Sequence, residues 1–207
     1  MALVITVANL KGGVGKTTTA VALAEAASYG GPVTVLDCDP QGSALDWSER
    51  ARAAGQPWRS TVRGIAAADL PRRIGQATQG AAVAVIDAPP PGALDIARGA
   101  IEAADILVMP CPPNFADLAR IPATQAEAVK RGIPAYVVLT MVRAGLADRT
   151  AALSVLAEAD VPVFSAWLPL TVAVARSYGQ AVTGVLAAFG IALMDEILTI
   201  KEANQHA

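Results

Sequence analysis

A single histidine, His206, two cysteines and four lysines are all that 207 residues contain of these types. Each shortage removes a class of chemistry. With the histidine next to the C-terminus, Ser-His and Cys-His nucleophilic catalysis and the usual histidine metal sites lack their central residue. Cys38 and Cys111 lie far apart and match no metal-ligand spacing, so they read as small packing residues of a reduced protein. No apolar run is long enough to span a bilayer, because residues 181–194 are interrupted by Thr183 and followed by Asp195 and Glu196. At the N-terminus no basic segment precedes an apolar one, which predicts a cytoplasmic location. A net charge of −2 gives no overall attraction to nucleic acid or to acidic membranes, so any such contact has to come from a local patch.

What remains is a chain with 54% hydrophobic residues, enough for one well-buried domain over residues 1–207. Near-continuous β-branched and aliphatic runs at 3–8, 33–37, 82–87, 106–109, 135–140 and 161–166 suit strands buried on both faces. Between them, Ala-rich stretches at 15–29, 43–54, 94–103, 114–131 and 148–158 read as helices, some followed by glycine as at Gly30 and Gly132. Residues 184–203 form a further apolar helical stretch. Alternating β and α predicts a three-layer α/β fold, a mostly parallel central sheet with helices on both faces. Residues 52–79 are less regular, with a short strand near Thr61 and Val62, a helix over 66–74 and several arginines that have no assigned role.

The chemistry concentrates in Lys11-Gly12-Gly13-Val14-Gly15-Lys16-Thr17-Thr18, which follows the first strand and opens the first helix. That context makes it a phosphate-binding P-loop. Glycines let consecutive N–H groups turn toward phosphate oxygens, and the helix N-terminus adds partial positive charge. Lys16 would neutralise the β and γ phosphates, the Thr17 hydroxyl would ligate Mg2+, and Thr18 would reach the α phosphate. Two of the four lysines flank this one loop, which an incidental glycine turn would not require. The next strand ends in Asp37-Cys38-Asp39-Pro40-Gln41-Gly42, at the sheet edge where open α/β folds bind ligands. A carboxylate there can order the attacking water or the magnesium shell. Val83-Ala84-Val85-Ile86-Asp87 is an apolar strand ending in an acid suited to hold Mg2+ directly or through water.

A lysine placed ahead of the glycines, Lys11, resembles the deviant Walker A motif of the ParA/MinD family of P-loop ATPases. Asp37 to Gly42 is similar to the family's second motif, Val83 to Asp87 with Ala88-Pro89-Pro90 to its Walker B strand, and Pro110-Cys111-Pro112-Pro113 to its proline-rich segment. Ser43, Trp47 and Ser177-Tyr178-Gly179-Gln180-Ala181-Val182 resemble the small ParA-type partition proteins, in a short form that lacks an N-terminal helix-turn-helix domain.

The resemblance implies ATP and ADP as ligands with Mg2+, and a nucleotide-sandwich homodimer in which Lys11 reaches the phosphates of the other subunit. Lys11, Lys16 and Asp39 would then be catalytic, with Asp39 positioning the water. Lys11, Gly12, Gly13, Val14, Gly15, Lys16, Thr17 and Thr18 would bind the nucleotide, and Thr17, Asp37 and Asp87 would serve the metal. Hydrolysis would stay slow until a partner completes the site. The implied partners are a second copy, in a dimer or a higher assembly, a ParB-type centromere-binding protein, and DNA gripped without sequence preference, with nucleoid association in the ATP state. A membrane partner is not implied, because Asp195, Glu196 and Glu202 leave the C-terminal helix without a basic polar face.

In the family DNA is gripped by basic residues around the loop ahead of the Ser-Tyr-Gly stretch. Here that loop, 169–173, carries no charge, which leaves Arg120, Lys130, Arg131, Arg143, Arg149 and Arg176 as candidates. Met141 to Arg143 and Pro169 follow late strands and are candidates for base contact, but the sequence assigns the adenine pocket to no individual residue. Two other functions compete: a P-loop biosynthetic or metal-cluster-handling enzyme, which calls for a substrate pocket or paired cysteines, and an ATP-dependent scaffold that positions a protein complex and has no need of Asp39.

Overall fold

The computed structural model describes residues 2–143 and 146–205, so His206 lies outside the described residues. Among them, β1 (Leu3–Val7), β2 (Val33–Asp37), β3 (Thr61–Gly64), β4 (Val83–Asp87), β5 (Ile106–Cys111), β6 (Ala135–Val142) and β7 (Val163–Pro169) make one sheet in the order β3-β2-β4-β1-β5-β6-β7. All neighbours are parallel. Parallel neighbours need crossovers, which α1 (Lys16–Ala27), α2 (Ser43–Ala53), α3 (Leu70–Ala77), α4 (Leu94–Glu102), α5 (Phe115–Leu118), α6 (Ile121–Val129) and α7 (Leu146–Glu158) supply. After β7 come the short α8 (Val172–Ala175) and the long α9 (Gly184–Gln205).

The two-residue period of a strand sorts side chains between two cores. Leu3, Ile5 and Val7 pack with α1 residues such as Leu23 and with Leu186, Phe189 and Leu193 of α9. Val4, Leu36 and Ile86 turn the other way, toward Leu70 of α3, Ile101 of α4, Ile121 of α6 and Leu156 of α7. The prediction of a sheet between two helical layers therefore holds.

Three local expectations shift. The helix predicted over 114–131 is split into α5 and α6, because Pro122 has no N–H to give an upstream turn and is tolerated only in the first turn of α6. The helix predicted at 66–74 runs instead from Leu70 to Ala77, again with a proline, Pro71, in its first turn. β5 continues past Met109 through Pro110, beyond the stretch that pairs with β1, and the Pro110 carbonyl accepts a hydrogen bond from Asn9 Nδ2 at 2.8 Å.

Candidate functional site

β1 is the strand at which the sheet order reverses: β4 and β2 lie on one side of it, β5 and β6 on the other. A crevice at its carboxyl end follows from that topology. The loop carrying Lys11, Gly12, Gly13, Val14 and Gly15 leaves β1 there. Gly13 (φ 73°) and Gly15 (φ 90°) take left-handed conformations that a side chain would strain. A Cβ added at Gly12 or Gly13 would meet nothing within 4 Å, so the loop's outer side is open. Its inner side is pinned: Val14 is buried, and its carbonyl accepts a hydrogen bond from Thr140 Oγ1 of β6 at 2.8 Å.

Gly15 caps α1 without a side-chain hydrogen bond, and the helical ladder begins with Thr19 N donating to Gly15 O at 2.9 Å. The N–H groups of Lys16, Thr17 and Thr18 precede that ladder, so the helix makes no use of them and an anion can. Lys16 is buried in the loop, its Nζ donating to the Lys11 carbonyl at 2.9 Å. Burial lowers its pKa, against the opposing charges of Asp87 and Asp39. Lys11 points elsewhere: its Nζ is ion-paired with Asp117 of α5. Asp117 is nearly inaccessible and also accepts from Asn114 Nδ2 at 2.6 Å.

Three carboxylates complete the constellation. The register sets Val7, Asp87 and Asp37 side by side at the ends of β1, β4 and β2. Asp87 is fully buried, and neither of its oxygens has a well-formed hydrogen bond. Burial pushes its pKa up to about 7, against the pull of the nearby Thr17 hydroxyl and Lys16. Asp37 is also buried, and burial raises its pKa, but its oxygens accept from Leu45 N at 3.0 Å and Asp39 N at 3.2 Å. It therefore shapes the turn into α2. Asp39 is half-buried, its Oδ1 accepting from Gln41 N at 2.9 Å.

An orphaned buried acid next to a hydroxyl offers oxygen donors for a hard cation, while the nearby lysine is suited to the phosphate that would share it. No group of three or more His, Cys, Asp or Glu among the described residues could cage a metal unaided. That fits an ion shared with a phosphate ligand, since Mg2+ seldom has an all-protein cage.

A cavity of about 250 Å3 adjoins the loop, lined by Gly15, Thr18, Met141, Pro169, Thr171 and Tyr178 among others. Met141 has φ 54°, an unusual conformation for a non-glycine residue. Met141 and Pro169, two of the candidates for base contact, are among the residues that line this cavity. A larger cavity, about 790 Å3, lies at the opposite edge of the sheet around Ile74, Asp105 and Ile197 and contains none of the predicted site residues. The chemistry places the site at the smaller one. Sequence reasoning missed Asp117 and Thr140; the Asn114-x-x-Asp117 spacing of a helix cap was a signal for the first, and nothing local marked the second.

A glycine cradle at a helix N-terminus, a buried lysine and strand-end carboxylates at the switch point of a parallel sheet define an α/β protein of the P-loop nucleotide-binding class. Within that class the chain belongs to the CobQ/CobB/MinD/ParA nucleotide-binding domain family, which matches residues 5–183. It is 40% identical over 169 residues to the maintenance of carboxysome distribution protein A of Gloeobacter kilaueensis, spanning 80% of this chain and 76% of that relative. It is 36% identical over 147 residues to a protein ParA of Rhizobium radiobacter, spanning 67% and 64%. Its fold matches the cell division ATPase MinD of Pyrococcus furiosus with a TM-score of 0.76 at 23% identity, covering 97% of this chain and 100% of that one. No described helix is long and apolar enough to cross a membrane.

Proposed function

We propose that the chain is a ParA-type ATPase, acting as one unit over residues 1–207, that binds ATP and Mg2+ at the loop and dimerises in that state. The dimer grips DNA without sequence preference, positions a cargo through an adaptor such as a ParB-type protein, and dissolves on hydrolysis. The cytoplasm, and the nucleoid in the ATP state, are the matching locations. The observation that carries this reading is the division of labour between two lysines. Lys16 is buried inside the cradle, where it meets the β and γ phosphates of its own nucleotide. Lys11 is turned away from that cradle onto Asp117 of its own chain, and in the dimer it would leave Asp117 to reach the phosphates of the neighbouring subunit.

The remaining roles follow from position. Thr17 and Asp87 hold the metal, with Asp37 in its outer shell, and Asp39 orients the water. When bound, Mg2+ would supply positive charge that offsets the charge on the phosphate oxygens. Gly12, Gly13, Val14, Gly15 and Thr18 supply the backbone and hydroxyl donors of the cradle.

A second reading concerns the cargo alone. The relative named for carboxysome distribution favours a protein assembly as cargo, while the relative named ParA favours a plasmid or chromosome.

Light scattering after size exclusion, with MgATP, MgADP or no nucleotide, tests the switch. A dimer that forms with MgATP alone and is lost in Lys16→Ala is the expected result. A monomer in every state, with ATP turnover intact, would refute the sandwich and favour the biosynthetic alternative.

A further inference from the structure

Charge is distributed unevenly along this chain. Six of its twelve arginines and only one acid, Asp69, fall between residues 50 and 79, which leaves ten cations against seventeen acids elsewhere. That segment runs from the end of α2 through β3 to α3, and β3 is the last strand on its side of the sheet. All six arginines, at 50, 52, 59, 63, 72 and 73, are exposed. Two have carboxylate partners, Arg50 with Asp46 and Arg73 with Asp69. Arg52, Arg59, Arg63 and Arg72 have no carboxylate ion-pair partner among the described residues; Arg59 lies over the Tyr29 ring and Arg63 donates to the Ala77 carbonyl.

Two of these arginines are spaced along the edge strand, while Arg52 closes α2 on one face of the sheet and Arg72 opens α3 on the other. Arg59 lies in the bend before β3 and Arg63 near the strand's end, so they are separated by at most about 13 Å, within the rise of four base pairs of duplex DNA. Arg63 and Arg73 border one groove of about 480 Å3 between β3 and α3, floored by Gly64, Ile65 and Gln76. Nearby acids are few: Glu49 is exposed on α2, and Glu25 accepts from the backbone N–H groups of Arg59 and Ser60 and from the Ser60 hydroxyl. By contrast, two of the cations predicted to meet DNA, Lys130 and Arg131, share Glu127, and Arg149 is directed at Ser165 O and the Trp167 ring.

We propose that the β3 edge, through Arg52, Arg59, Arg63 and Arg72, is a surface that binds the phosphate backbone of duplex DNA. This rests on the DNA-binding reading above and moves the contact away from the uncharged 169–173 loop. Duplex DNA is favoured over an acidic protein because the patch is extended, rich in arginine and has no exposed large apolar anchor between residues 50 and 79. The arginines belong to each subunit, so the ATP dimer presents two such edges and gains affinity by linking them.

The test is fluorescence anisotropy of a short random-sequence duplex with the full chain and MgATP across a salt titration. It compares wild type, Arg63→Gln/Arg72→Gln, and Arg52→Gln/Arg72→Gln, the last sparing the Arg63 to Ala77 bond. ATP-dependent dimerisation of every variant is checked in parallel. Each double variant is expected to bind about tenfold or more weakly and to flatten the salt slope by about two for each edge of the dimer that engages the duplex. Wild-type binding with unchanged variants would overturn this surface and leave the proposed function standing. No binding by wild type in any nucleotide state would overturn both. Displacement of the duplex by poly-glutamate as effectively as by unlabelled DNA at equal charge would assign the edge to an acidic protein. Unchanged DNA affinity with new self-association of the variants would make these arginines guards of an exposed strand edge.

Discussion

Asp87 carries the largest electrostatic tension in the site, a buried acid whose oxygens lack hydrogen bonds. In the unfolded chain it titrates near 3.8, and in the fold near 7. Between those values the native state binds more protons than the unfolded one, so stability falls as pH rises through this window and the loss is complete above about 7. The full effect is at most about 4 kcal/mol. In magnesium-free buffer, calorimetric melting from pH 5 to 8 should show wild type losing ground against Asp87→Asn as pH rises. Parallel curves would show that Asp87 does not titrate there. Lys11 offers a second residue-scale check. Its side chain is 37% exposed and that of Asp117 4%, so Lys11→Ala strands a buried carboxylate. After discounting for screening, the nucleotide-free protein should lose about 1–2 kcal/mol, or roughly 2–8 °C in Tm. An unchanged Tm would mean that the pair contributes nothing to the resting fold.

At the scale of elements, α9 lies against the backbone of α1. A Cβ on Gly190 would fall 2.2 Å from the Ala22 carbonyl oxygen, a contact with backbone that no rotamer relieves. Gly190→Ala should therefore cost about 2 kcal/mol or more, read as a Tm lower by several degrees. Gly75, inside α3, has open space around it, and Gly75→Ala should raise stability by about 0.5–1 kcal/mol through helix propensity alone. If Gly190→Ala leaves Tm unchanged or raises it, the close approach of α9 to α1 is wrong, whatever Gly75→Ala does. This packing was not legible in the sequence. The apolar positions of 184–203 announced a helix, but a glycine in a helix does not say whose carbonyl it admits. The loop from Lys11 to Thr18 and the strand-end acids were legible, because glycine placement and apolar runs ending in Asp are local signals. Asp117 and Thr140 were not, since their roles depend on contacts with Lys11, 106 residues away, and with Val14, 126 away.

For the whole molecule, the sheet was predicted in class and in most of its strands, while the order of strands was beyond reach of a pattern that records only burial. That order has a consequence during synthesis. β1 has β4 and β5 as neighbours, and β4 is also wedged between β1 and β2. The nascent chain thus delivers its fully buried first two strands long before β4, which starts at Val83. At roughly 5–20 residues per second the ribosome needs about 4–15 seconds to cover the stretch from β1 to β4. During that interval the strand that leads into the phosphate loop has both edges bare, and a chaperone at the exit tunnel meets it before any neighbouring strand does.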